Sequence, residues 1–424
     1  MKKSETMSFC RTLIVCVLAF VIGSLSMPPA SAQREVELGI KSSYANLIGL
    51  SIAPFTAVDG ARPDQATTLE QLITADLEFA GVFKVTRGRA RRTDSAGDNG
   101  LVEVRGLLKQ NGGETQFEGL VVDLSNYLTI GGKRYVLKTE QIRQIAHLFS
   151  DEVVRMLTGE AGVATTRITY RVKKGDSYEV VMTDYDGYNP RVLLRQNIPV
   201  IYPRWIDDRK AMVFTSFRGG QTDLYVRYLA QPSSQRLLSY PGLNYSVDWS
   251  EKREEMLVTL SKDGNPEIYV VDKNGKIKRR LTHNRAIDCS PNWSPSGREV
   301  AFTSDRSGKP QIYVMQADGS NVRRLSQAGN YNDSPAWSPK GDRIVYVSRI
   351  EGFFQLCTIH PDGSGFRPIT NQAVDHEDPR WSPAGRHLVY TEKRKYENVI
   401  SIIDIASGGK RILSQGETPD WSVR

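Results

Sequence analysis

Cysteine is scarce in this chain. There are four among 424 residues, and Cys10 and Cys16 fall within the first 32 residues, which leaves Cys289 and Cys357. Two thiols cannot build a disulfide framework, so a conventional core must hold the fold. Histidine is also rare: His147, His283, His360, His376 and His387 are the five, and they share no repeat position. Beyond the N-terminal stretch no run is long and apolar enough to span a bilayer. The motifs of several enzyme classes are missing. No Gly-x-Ser-x-Gly elbow occurs, which excludes the usual hydrolase nucleophile. His376-Glu377 is followed by Asp378-Pro379-Arg380, which is not a zinc-binding helix. No P-loop or dinucleotide glycine pattern is found, so no cofactor and no metal is expected. The net charge of +8 is modest, and its densest cluster is Arg87-Gly88-Arg89-Ala90-Arg91-Arg92. Such a cluster is a solvated loop, and no nucleic-acid partner is expected.

The first 32 residues have the anatomy of an export signal. Lys2, Lys3 and Arg11 precede the apolar run Leu13 to Leu25, Pro28-Pro29 breaks it, and Ala30-Ser31-Ala32 fits the small-x-small cleavage rule. Cleavage after Ala32 would leave a mature start at Gln33.

A repeat dominates the remainder. The six tryptophans are Trp205, Trp249, Trp293, Trp337, Trp381 and Trp421, at steps of 44, 44, 44, 44 and 40. A fixed period near 40–45 marks a propeller. Pro stands two before Trp in five units, and Trp-Ser-Pro-x-Gly recurs at Trp293, Trp337 and Trp381. Nine residues after Trp stands Phe214, Val258, Phe302, Tyr346 or Tyr390; twenty after stands Tyr225, Tyr269, Tyr313 or Cys357. Alternating strands separated by glycine turns give four strands per unit, which is a blade. The last unit stops at Arg424, and its missing strands lie before Trp205. The strand around Trp421 is therefore expected to complete the blade begun by residues 166–200. Cys357 occupies a tyrosine slot and reads as a core thiol. Asp184-Tyr185-Asp186-Gly187 falls at a repeat-defined turn and reads as a hairpin, not a calcium loop.

Residues 33–158 lack the repeat and read as an α/β domain. A strand is predicted from Leu47 to Phe55. Thr67-Thr68-Leu69-Glu70 reads as a capping box opening a helix that stops at Gly81. Strands follow near 82–86, 101–109, 115–124 and 133–138, then a helix over about 140–158. His147 lies within that helix and reads as structural. The loop 94–100 is polar. The expected organisation is multi-domain: signal peptide 1–32, N-terminal α/β domain 33–158, linker 159–166 and a six-bladed all-β propeller over 167–424.

One set of positions is chemically distinctive. The segments just before each Pro-x-Trp enter the innermost strands and should converge on one mouth of the channel. They are Asn244-Tyr245-Ser246, Asp288-Cys289-Ser290, Asn332-Asp333-Ser334, His376-Glu377-Asp378 and Glu417-Thr418. Turn chemistry alone would favour these residue types. A polar, partly acidic ring that binds a protein or a cation would use them too.

Leader, α/β domain and Trp-Ser-Pro-x-Gly propeller, in that order, resemble the TolB family. So do Glu35-Val36-Glu37-Leu38-Gly39-Ile40 before Leu47-Ile48-Gly49-Leu50-Ser51-Ile52-Ala53-Pro54-Phe55, and Ser150 to Gly159 running into Thr166-Arg167-Ile168-Thr169-Tyr170. The resemblance implies a non-enzymatic periplasmic adaptor of the Tol-Pal system. It would bind the lipoprotein Pal through the mouth residues Asn244, Ser246, Asp288, Cys289, Asp333, Ser334, His376, Glu377, Glu417 and Thr418. It would bind TolA through Glu35, Val36, Glu37 and Leu38, and would meet membranes only through its partners. Other envelope proteins and bacteriocins are further implied partners, and support of outer-membrane integrity and constriction at division is the implied role. Cys289 and Leu243 stand where that family pattern would place more polar residues. The alternative is a propeller enzyme, a lyase or hydrolase, with Asp248, Asp420, Arg204 and Arg380 converging in the channel.

Overall fold

The computed structural model describes residues 47–89, 101–111, 113–138, 141–206 and 210–422. The expected leader, the segment Glu35 to Leu38 and the loop 94–100 lie outside the described residues, as does the basic cluster beyond Arg89.

The α/β part is built on a six-stranded sheet of order β3-β1-β4-β5-β6, with β2 beside β4. Here β1 is Ile48–Ile52, β2 Thr56–Val58, β3 Phe83–Arg87, β4 Leu101–Asn111, β5 Glu114–Asp123 and β6 Thr129–Leu137. β1 runs parallel to β3 and β4, while β4, β5 and β6 form an antiparallel meander. Two helices, α1 (Pro63–Ala80) and α2 (Ile142–Thr158), bury their apolar stripes against the sheet. Leu69, Ile73 and Leu77 of α1 and Phe149 and Val153 of α2 meet Leu50, Val104, Phe117 and Val121 in one core. Gly119 allows this approach: a Cβ there would lie 2.4 Å from the Phe149 ring.

The start of α1 departs from the capping box. The helix opens four residues earlier, at Pro63, with no side-chain cap. Proline is pre-organised for a first helical turn, and its missing N–H is one that needs no partner there. The Thr67 and Thr68 hydroxyls donate to the carbonyls of Pro63 and Asp64. Glu70 instead accepts the backbone N–H of Phe55 at 2.9 Å and ties helix to sheet.

Six four-stranded antiparallel sheets follow. Blade 1 contains residues 167–196, blade 2 200–238, blade 3 244–280, blade 4 288–324, blade 5 332–368 and blade 6 375–415. The Trp-bearing strands touch one another in order around a closed ring. The expected closure is present. Glu417–Trp421 pairs with Arg167–Lys174 as the innermost strand of blade 1, with Trp421 opposite Ile168. The Trp421 indole donates to Thr166 Oγ1 at 2.8 Å, and Ser422 N donates to Arg167 O at 2.9 Å. Cys357 is fully buried among Tyr346, Trp337 and Ile359, and burial pushes its thiol up to about 12.

In an antiparallel blade the ends of successive strands alternate between two faces. Entry to the innermost strand and the link between second and third strands share one face. The Ser-Pro-x-Gly turns and the link between third and fourth strands share the other. The α/β domain sits on the second face. Tyr185 donates to Asp76 at 2.6 Å, Phe79 stacks on His387, and Lys340 pairs with Glu160. Among the described residues, the α/β domain leaves the mouth formed by the first face clear.

Candidate functional site: the channel and its mouth

The innermost strands share a feature that no motif announced. The residue three before each Trp has a left-handed backbone: Tyr202 (φ 53°), Ser246 (59°), Ser290 (50°), Ser334 (55°), Asp378 (55°) and Thr418 (50°). At each of them the pairing register with the second strand slips. These are six β-bulges at one level of the channel. A non-glycine residue there costs on the order of 1–3 kcal/mol, and such strain persists only where surroundings impose it.

Below the bulges runs a belt that joins blade to blade. Asp248 accepts Asn292 Nδ2 at 2.8 Å and the N–H of Trp293 at 2.7 Å. Asn292 accepts the N–H of Trp337 at 2.6 Å, and Asp420 accepts the N–H of Trp205 at 2.9 Å. Arg204 donates to the carbonyls of Pro203 and Pro419. Arg204 and Arg380 lie 3.8 and 3.7 Å from Asp420. The four residues named for the enzyme alternative are thus engaged in this belt. Burial pushes the Asp248 carboxyl up to about 6, raises Asp420, and brings Arg204 down to about 10.

The expected mouth residues are distributed over three environments. Asn244, Asp288, Cys289 and His376 lie buried within the blades. Asn244 donates to the carbonyls of Thr222 and Tyr240, and Asp288 takes Arg306 and Asn284. His376 leans on Tyr390, and burial brings it down to about 4. Asp333 accepts Thr303 Oγ1 at 2.8 Å, and Thr418 N donates to Thr391. Ser246, Ser334, Glu377 and Glu417 keep part of their surface open. Of these, Glu377 pairs with Lys393 at 2.5 Å and Glu417 with Arg171. The carboxyls of Asp333, Glu377 and Asp378 are all raised by burial.

Residues absent from that set make the rim. Tyr396 is 86% exposed in the link between the second and third strands of blade 6, and Phe353 is exposed in blade 5. Tyr240 and Tyr331 are half-buried just before the innermost strands of blades 3 and 5. Thirteen residues after Trp, a cation covers the blade's own tyrosine in three blades. Arg218 lies 5.2 Å over Tyr225, Lys262 5.3 Å over Tyr269 and Arg306 4.9 Å over Tyr313. Exposed tyrosine and arginine on a rigid rim are the residue types that dominate protein interfaces.

His147, Asp184 and Asp186 could offer ligand atoms within 4.8 Å of one another. Arg143 already pairs with Asp186, and His147 Nδ1 lies 2.8 Å from Asp76. A guanidinium occupies the place a cation would take. Burial opposes the imidazolium of His147, but Asp76 outweighs it and holds the ring above its ordinary value.

The fold and site of the described residues define a closed six-bladed propeller with an α/β domain on one face and an aromatic-rimmed mouth on the other. Residues 154–424 match the model of the TolB beta propeller domain, and the chain belongs to that family. It is 30% identical over 230 residues to the Tol-Pal system protein TolB of Methylobacillus flagellatus, covering 51% of this chain and 53% of that protein. It is 31% identical over 224 residues to that of Nitrosomonas europaea, at 50% and 52% coverage. The chain thus spans about half the length of the curated relatives it matches. TolB from Acinetobacter baumannii superposes with a TM-score of 0.77 at 26% identity, over 89% of this chain and 97% of that one. Hydrazine synthase of Kuenenia stuttgartiensis, 14% identical with a TM-score of 0.52 over 62% of this chain and 47% of that one, shares the fold alone.

Proposed function

We propose that this chain is a non-enzymatic adaptor of the Tol-Pal system in the periplasm, holding the lipoprotein Pal at the propeller mouth. The observation that carries the reading is the clear mouth itself, a rigid bulged ring rimmed by Tyr396, Phe353, Tyr240 and Tyr331, in a chain of the TolB propeller family. Loops held by a rigid scaffold bind without paying much ordering entropy. The engagement of Asp248, Asp420, Arg204 and Arg380 in the blade-to-blade belt favours binding over acid–base chemistry, because none is left as a converging acid or base. TolA would be engaged by Glu35 to Leu38, whose alternation suits strand addition. Linking an inner-membrane partner to Pal would support outer-membrane integrity and constriction at division, and bacteriocins could exploit the same mouth.

Calorimetric titration of purified Pal into the full chain tests this. Binding is expected, and Tyr396→Ala should weaken it about tenfold or more with an unchanged melting temperature. Native Pal affinity in the Tyr396→Ala variant would move the site off this rim, and no binding of Pal by the parent would end the reading.

A further inference from the structure

The seam between the α/β domain and the propeller is closed by an aromatic stack that includes a histidine. Phe79, in the last turn of α1, lies face to face with His387 at 4.2 Å between centroids and 11° between planes. Tyr185 packs on the same phenylalanine at 4.9 Å, and the Arg411 guanidinium covers Phe79 at 4.1 Å while donating to Tyr185 O. Trp421 of the closing strand lies 6.4 Å from His387. His387 is 2% exposed, and its Nδ1 has no hydrogen-bond partner.

The charged groups around it come from every neighbouring element. Arg386 precedes it, Asp404 ends the third strand of blade 6, and Arg411 lies in the fourth. Asp76 of α1, His147 and Arg143 of α2 and Asp186 of blade 1 stand one layer further off, around Tyr185. Arg386 is bound to Asp404 within the propeller at 2.8 Å, and that pair needs no α/β domain. His147 and Asp76 sit on two helices of one domain, so their pair also survives separation. His387 differs: its burial is completed by Phe79 across the seam.

We propose that His387 makes the docking of the α/β domain on the propeller acid-sensitive, the neutral ring closing the seam on Phe79 and the protonated ring opening it. A proton on His387 would put a third cation beside Arg386 and Arg411; the Phe79 carbonyl takes one ring N–H, and the other, on Nδ1, finds no acceptor. Burial, with those two arginines, brings the docked ring down to about 4 against the pull of Asp404 and of the Phe79 carbonyl. An undocked ring regains a value near 6.5. The undocked state then binds more protons, so docking is at full strength above about 6.5 and is lost as pH falls toward 4. Between pH 7 and pH 5 the docking equilibrium should weaken about twentyfold.

The experiment is hydrogen exchange of the full chain, corrected for the intrinsic pH dependence of exchange. The last turn of α1 and the strand opening at His387 should lose about twentyfold in protection between pH 7 and 5. His387→Phe, which keeps the stack and cannot titrate, should hold its protection over that range. Equal loss in parent and variant would overturn the proposal. An NMR titration of His387 in the parent decides independently of any variant: titration near 4 supports the latch, and titration near 6.5 refutes it.

Discussion

Asp248 joins blades 3 and 4 by accepting two N–H groups while half-buried in the channel wall. Its carboxyl is pushed up to about 6 by that burial. For a carboxyl raised in the folded state, the folded chain holds the proton more tightly than the unfolded one. Its contribution is therefore full at low pH and fades as pH rises through about 6. The expected fading between pH 5 and 7 is about 1 kcal/mol. Denaturant unfolding of the parent and of Asp248→Asn at both pH values checks this. The gap between them should narrow by that amount at pH 7, and a constant gap would refute it. The bulge residues show what sequence does not reveal at this scale. Tyr202, Ser246, Ser290, Ser334, Asp378 and Thr418 share a backbone conformation, while only three of the six share a side chain, serine. Positive φ there is imposed by the ring of strands and not by a glycine or asparagine signal. The partners of His147 were equally hidden, because Asp76 lies 71 residues away.

At the scale of elements, β6 is the edge of its sheet among the described residues. The turn before it exposes Tyr127 and Leu128 at 67% and 66%, and Ile130 and Val136 are exposed along it. Such an edge invites pairing with another chain, and charged residues along it oppose that. Lys133 and Arg134 stand in the middle of β6 with Glu152 and Glu118 as surface partners. Replacing both with valine should cost less than about 1 kcal/mol in lost ion pairs. It should nonetheless produce concentration-dependent light scattering that the parent lacks; a clear solution at high concentration would contradict the role given to these two cations. Elements were largely legible where a period or a stop signal marked them. Gly81 and Gly159 end their helices in left-handed caps where the apolar stripes stop. The start of α1 is not legible, because Thr67 and Glu70 fit a capping box by spacing, whereas Glu70 is used by Phe55 in the link between β1 and β2. Competition between local and tertiary partners for one carboxylate is not visible in a linear pattern.

For the whole molecule, the Trp ladder made blade number and closure readable, because each blade repeats the same turn chemistry at a fixed period. The rim was not readable, since Tyr396 and Phe353 stand in links that differ from blade to blade. Closure is also a stability statement. Trp421 is buried against Ile168, Tyr170 and Val389, and Trp421→Ala should cost about 3–5 kcal/mol. Thermal unfolding followed by circular dichroism would register the loss, and an unchanged melting temperature would contradict the closure described. The seat of the α/β domain on one face and the clear mouth on the other lead to the central claim, that the mouth is a protein-binding surface. Hydrogen exchange of the full chain with and without saturating Pal tests it most directly. Protection is expected in the links 217–222, 349–353 and 394–398, with the β6 edge unchanged. Protection confined to the α/β domain or to the Ser-Pro-x-Gly turns would contradict it.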